Sequence, residues 1–229
     1  MNSKINIVFC GYRSWAKNII NAVQGHQGIN CVAKIFSYDE YEHFVDNMES
    51  SDKVFVFLGW SWIVPSEITS QYLCIGIHPS DLPHFRGGSP IQNQIMAGLL
   101  ESKVSLMTLS DKKLDAGDIW GKNTFSLRGD NIAKVFESIE KSSVQLLNQF
   151  FDSYPNIVPK NQNISEGSYY RRRKPEESRI LYDDIESLGL EAMYNKIRSL
   201  TAPYPNAYFE DKNGNRLYIK EVVYETSAK

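Results

Sequence analysis

Gly76-Ile77-His78-Pro79-Ser80-Asp81-Leu82-Pro83-His84-Phe85-Arg86-Gly87-Gly88-Ser89-Pro90-Ile91-Gln92, followed further on by Leu114-Asp115-Ala116-Gly117-Asp118-Ile119, sets the reading of this chain. An apolar run from Tyr72 to Ile77 enters a histidine directly, and a loop rich in proline and glycine follows. A continuous apolar run bounded by turn residues is the pattern of a strand buried on both faces, as in a parallel sheet. Pro90 to Leu100 then predicts a helix, Val104 to Leu109 a strand, and Asp111 to Asp118 a loop. Two strand ends are expected to deliver His78 and an aspartate, Asp115 or Asp118, to one edge of a sheet as an acid–base pair.

Outward from this stretch the same grammar repeats. Ile5 to Cys10, Asn30 to Phe36 and Val54 to Leu58 predict strands, and Ser14 to Val23 and Tyr38 to Met48 predict helices, with Ser14 as the first helix's cap. Strands alternating with helices at this spacing imply an α/β fold: a Rossmann-like, mainly parallel, doubly wound sheet. Such sheets bind ligands beyond the carboxyl ends of their strands, where Gly11, Gly59 and His78 fall. Asn131 to Phe151 predicts a long amphipathic helix. Residues 1–155 read as the main domain, 156–175 as a linker or covering loop, and 176–229 as a small C-terminal α+β appendage. The appendage is expected to hold a helix from Leu188 to Leu200 and a hairpin from Tyr208 to Tyr224, turning at Asn213-Gly214. It is too small to fold comfortably alone and should pack against the main domain.

The totals bound the function. With 42% hydrophobic residues in 229, the chain can bury a core. A net charge of −2 argues against a nucleic-acid partner. Cys10, Cys31 and Cys74 stand far apart with no spacing that suggests zinc, so no metal is expected. No apolar run approaches the roughly 20 residues of a membrane span, and Met1-Asn2-Ser3-Lys4 leads straight into a strand, so the expectation is a cytoplasmic protein without a membrane partner. Gly11-Tyr12-Arg13-Ser14 is not the GxGxxG of a dinucleotide-dependent oxidoreductase. Histidine ordinarily titrates at roughly 6.5, which suits proton transfer near neutrality, and a neighbouring carboxylate orients such a ring.

His78-Pro79-Ser80-Asp81-Leu82-Pro83, Arg86 to Gln92 and Leu114 to Asp118 resemble the signature of formyltransferases that use 10-formyltetrahydrofolate, a group acting on methionyl-tRNA, glycinamide ribonucleotide or sugar nucleotides. The similarity covers most of residues 5–125 and continues through Arg172 to Ile180 and Ile197 to Tyr208, as in the sugar and tRNA branches. The resemblance implies that an acceptor amine attacks the formyl carbon of the folate, with His78 moving protons and Asp115 tuning it. It further implies a folate pocket at Trp60, Trp62, Ile63 and Val64 and at Asp111, Lys112, Leu114 and Asp118. For the acceptor it points to Arg13, Ser14, Ser80, Arg86, Gly88, Gln92, Arg172 and Tyr204, with the run Arg171 to Lys174 as a diphosphate grip.

One position departs from the family pattern. Gly76 stands where the family carries an asparagine that donates to the formyl oxygen, a contact worth ~3–4 kcal/mol. His78 itself, Gln92, Asn93 or a backbone N–H is left to replace it. The tRNA branch adds a C-terminal β-barrel for which 229 residues leave no room, so the expected acceptor is a dTDP- or UDP-linked amino deoxysugar. Another small amine, or a catalytically silent folate- or nucleotide-binding chain, is the alternative, and the tail hairpin is a possible homodimer surface.

Overall fold

The computed structural model describes residues 4–49, 52–110 and 113–227. Its first half alternates as the apolar runs demand: β1 (Ile5–Cys10), α1 (Ser14–Val23), β2 (Ile29–Ile35), α2 (Tyr38–Asn47), β3 (Val54–Leu58), α3 (Ser66–Gln71) and β4 (Leu73–His78). A two-residue β5 (Arg86–Gly87), α4 (Pro90–Met96), β6 (Glu101–Thr108), β7 (Ile119–Ser126) and α5 (Ile132–Ser153) follow. The central sheet has the order β2-β1-β3-β4-β6-β7. Its first four strands are parallel, whereas β6 runs antiparallel to β4, and β7 antiparallel to β6.

Two apolar layers sandwich the parallel part. On one face α1 and α5 set Trp15, Ile19, Ile20, Ile139, Leu147 and Phe150 against Ile7, Phe9, Val56 and Ile75. On the other, Tyr41 of α2 and Ile68 of α3 cover Val8, Phe55 and Phe57. Strands buried on both faces explain why β3 and the Ile7–Cys10 part of β1 read as unbroken apolar runs.

The remaining chain holds β8 (Tyr169–Tyr170), α6 (Asp184–Leu188), α7 (Leu190–Ser199) and the hairpin β9 (Ala207–Glu210) with β10 (Arg216–Ile219). Two features differ from the sequence expectation. β7 and α3 carry no strong pattern: in β7 only Phe125 is buried, the other positions are half-buried or exposed, and Gly121, Lys122 and Asn123 favour strands weakly. The helix expected over Leu188 to Leu200 is broken at Gly189, whose φ of +79° is left-handed and closes α6.

Candidate active site

His78 ends β4 and is only 6% exposed. Its Nε2 lies 2.9 Å from the Phe85 carbonyl oxygen, which can only accept, so Nε2 carries the hydrogen and donates. Nδ1 then faces Asp115 Oδ2 at 3.5 Å. The same carboxylate oxygen accepts the Gly87 N–H at 2.8 Å. The ring is therefore gripped at both nitrogens, and Asp115 is the carboxylate in ion-pair range among the described residues.

The pair does not arise as two strand ends meeting at one edge. Because β6 runs antiparallel to β4, its end, Thr108, sits beside Ile75 rather than His78. The connection to β7 has to turn back before Asp115 reaches the ring. Two features make that turn: Asp115 takes a left-handed φ of +53°, and Gly117 passes so close to the Thr108 carbonyl that no Cβ fits there. Asp118, the alternative aspartate, points elsewhere and accepts from Asn161 Nδ2 at 3.0 Å.

Gly76 shares the His78 face of β4, two residues earlier. A Cβ there would lie 3.1 Å from Leu109 Cδ2 and 3.3 Å from the Phe57 carbonyl oxygen, so Leu109 fills the room that a larger side chain would need. Of the replacement donors, His78 Nε2 is engaged by Phe85, and Asn93 Nδ2 donates to the Gly88 carbonyl at 3.1 Å. Both are spent on the loop itself. The buried Gln92 amide is engaged by the Tyr204 phenol, and its unpartnered Oε1 can only accept, so of the four alternatives a backbone N–H is the one left.

A second group gathers at the exits of β1 and β3. The Arg13 guanidinium lies 5.0 Å over the Tyr12 ring, Tyr12 and Ser61 hydroxyls are 2.8 Å apart, and Arg172 Nη2 reaches Ser61 Oγ at 3.4 Å. Trp62 packs on Tyr12 and Tyr38 with centroids 4.9 and 5.5 Å away. Burial pushes the Tyr204 phenol up, while Arg13, the Gln92 amide and Arg172 pull it the other way. Arg13, Gln92, Arg172 and Tyr204 thus share one neighbourhood although they span most of the chain. Tyr12 and Ser61 join them without any sequence signal.

Several sequence expectations are corrected. Ser14 is the first helical residue and exposed, while Arg13 holds the cap position in extended backbone with no side-chain cap bond. Ser80 is fully buried, its hydroxyl donating to the His84 carbonyl at 2.7 Å, so it holds the loop and is closed to a ligand. Gly88 serves through its backbone, donating to Tyr170 O at 2.7 Å with Arg172 packed where a Cβ would go. The basic run splits: Arg171 pairs with Glu177 at 2.9 Å and Arg173 donates to the Glu177 carbonyl at 2.8 Å, which leaves Arg172 facing the site. Val64 is buried in the core layer with Ile68 and Tyr72 rather than lining a slot. Trp60 packs among Tyr12, Tyr41 and Phe57 with its buried Nε1 unpartnered, while Ile63 is 89% and Leu114 60% exposed. Asp111 and Lys112 lie outside the described residues. Arg86 is half-buried, with its Nε enclosed and unpartnered.

The structure is a Rossmann-like sheet with a buried His–Asp pair beside the turn in strand direction, and comparison with known proteins gives it a family. Residues 37–149 match the model of the formyl transferase family. The methionyl-tRNA formyltransferase of Wolbachia sp. subsp. Drosophila simulans is 33% identical over 178 residues, 76% of this chain and 56% of that protein. Among solved structures, the methionyl-tRNA formyltransferase from Clostridium thermocellum superposes with a TM-score of 0.76 at 29% identity, over 95% of this chain and 99% of that one. A sugar N-formyltransferase from Shewanella shares the fold at 19% identity and a TM-score of 0.73, over 97% and 99% of the two chains. The chain belongs to the formyltransferase family. It spans just over half the length of the curated relatives it matches, between 52% and 59% of the first three.

Proposed function

We propose that this chain transfers a formyl group from 10-formyltetrahydrofolate to the amine of a nucleotide-linked amino deoxysugar. The observation that carries the transfer is the buried His78 ring, held by Phe85 on one nitrogen and facing Asp115 on the other. Nε2 is committed, so Nδ1 is the atom that takes up and releases a proton, with Asp115 Oδ2 as its partner.

The residues present suit the folate. Trp62, Ile63 and Leu114 offer exposed apolar surface, and the enclosed Trp60 Nε1 is a donor in want of an acceptor. When bound, the cofactor supplies an activated formyl carbon. Trp60, Trp62, Ile63 and Leu114 would hold its rings, and the loop of Asp115 and Asp118 would keep the reacting end against His78.

The acceptor's charge is read from Arg13 and Arg172. Neither is ion-paired to a carboxylate among the described residues, unlike Arg171 and Arg179. Two unpaired guanidiniums beside Tyr204 and the unpartnered Gln92 Oε1 suit a small diphosphate carrying a sugar. The net charge of −2 supports a small acceptor over a polyanion. A second reading, transfer to methionyl-tRNA, is favoured by the relatives near 30% identity, which are methionyl-tRNA formyltransferases. Chain length does not separate the two, since a solved chain bearing the tRNA name is matched over 99% of its length.

The discriminating experiment offers 10-formyltetrahydrofolate with dTDP- and UDP-linked amino sugars and, in parallel, methionyl-tRNA, and weighs the products. One added carbonyl on an amino sugar, with none on the tRNA, supports the proposal. Formylated methionyl-tRNA alone overturns the acceptor, and no product with any acceptor despite folate binding makes the chain a silent binder.

A further inference from the structure

Three non-glycine residues among those described adopt left-handed backbone: Phe85 (φ +55°), Ser89 (φ +54°) and Asp115 (φ +53°). Such conformations are costly and persist only where the surroundings enforce them. All three belong to the loops around His78, and each is tied to one passing segment, residues 160–173. The Phe85 N–H donates to Ser168 Oγ at 2.8 Å. Ser89 Oγ accepts the Arg173 N–H at 3.1 Å. Gln162 Nε2 donates to the Asp115 carbonyl at 3.3 Å and to the Gly117 carbonyl at 2.5 Å.

The segment is zipped down along its length. Lys160 and Ile119 exchange both backbone bonds at 2.8 Å, Arg86 N–H reaches Ser168 O at 3.0 Å, and β8 pairs with β5. Gly167 lies against the Pro83 carbonyl so tightly that no Cβ fits. Gln162 is buried although its stretch of sequence is polar and otherwise mostly exposed. A mere linker has no reason to bury an amide and aim it at two carbonyls.

We infer that residues 160–173 form a strap that sets the geometry of the His–Asp pair, with Gln162 and Ser168 as its positioning residues. Ser168 fixes the backbone of Phe85, whose carbonyl holds His78 Nε2, and Gln162 fixes the backbone of Asp115, whose carboxylate faces Nδ1. Each end of the acid–base pair is thus held from the same strand of chain. The strap touches neither reacting group directly; it acts through the two backbones. The inference concerns the site assigned to formyl transfer above and rests on that reading for its kinetic consequence only.

The test combines kinetics with a spectroscopic signature on the full chain. Gln162→Ala and Ser168→Ala are each expected to lower kcat by about 10–100-fold, the loss typical of a misplaced catalytic group, with little change in acceptor KM. Ser168→Thr, which keeps the hydroxyl, should restore most of it. Combined with Asp115→Asn, Gln162→Ala should cost much less than it does alone, because the carboxylate it positions is already gone. In parallel, NMR of labelled histidine should show the His78 Nε2–H signal in wild type and Ser168→Thr, and its loss to solvent exchange in Ser168→Ala. That signal reads the positioning whether or not the chain transfers formyl groups. Variants that melt earlier yet keep kcat and the Nε2–H signal would make the strap a purely structural brace, and full additivity with Asp115→Asn would overturn the role of Gln162.

Discussion

Gly76 stands where the resemblance implies an asparagine, and its surroundings show what a larger side chain would meet. Leu109 occupies the volume beside it, 3.1 Å from where a Cβ would stand. Restoring a side chain should therefore overpack the face of β4. Gly76→Asn is expected to lose roughly 1–3 kcal/mol of stability, and adding Leu109→Ala should recover much of that. Urea denaturation of the two variants checks this, and an unchanged midpoint for Gly76→Asn would mean that Leu109 yields freely. At this scale the sequence was informative about His78 and Asp115, since a histidine after an apolar run and an aspartate in a Gly-containing loop are visible without coordinates. It was silent on Leu109, Gln162 and Ser168, because their roles come from contacts between segments with no shared periodicity. Asn93 looked like a free donor for the converse reason: the Gly88 carbonyl that occupies it is brought there by the loop's own fold.

Among the elements, the short turn at Pro175–Ser178 anchors the end of the strap. Glu177 accepts from Arg171 and from the Lys174 N–H, and these bonds, Arg171 first, hold its carboxyl down at about 2. A carboxyl depressed in the folded state contributes stability above its ordinary value of 4.5, and that contribution is lost as pH falls from there towards 2. Glu177→Gln should therefore remove part of the acid limb of a melting temperature–pH profile and leave the neutral limb parallel to wild type. Coincident acid limbs would show that the pair is too exposed to matter. The basic run Arg171 to Lys174 was legible as charge but not as architecture, since its division between Glu177 and the site depends on this turn. β7 was illegible for a different reason. As the outer strand of the sheet it keeps one side wet, so Ile119 to Ser126 lacks the apolar run that marked β1, β3 and β4.

At the scale of the whole molecule, α7 couples the C-terminal residues to the main sheet. Arg198 is buried, and its Nη1 donates to the Leu127 carbonyl at 2.7 Å and the Gly129 carbonyl at 3.1 Å, while Nε donates to Asn195 Oδ1. Thr201 Oγ1 accepts the Ile132 N–H at the start of α5. Arg198→Leu strands two carbonyls and should cost roughly 2–5 kcal/mol, with unfolding still in one transition. A second transition in the variant or in wild type would show that the C-terminal residues fold as their own unit. The α/β alternation and the parallel half of the sheet followed from strand composition alone. The reversal at β6 did not, because apolar content reports burial and not direction.

The proposed role of His78 as the proton-handling group of a formyl transfer is tested most directly by one comparison: the rate of formyl transfer to the best acceptor by wild type and by His78→Asn at matched folate occupancy. Asparagine keeps a polar side chain of similar reach but cannot carry the mobile proton. The rate should fall by about 10²–10⁴-fold with the melting temperature nearly unchanged. A His78→Asn protein that folds and transfers formyl at the wild-type rate would contradict the mechanism outright.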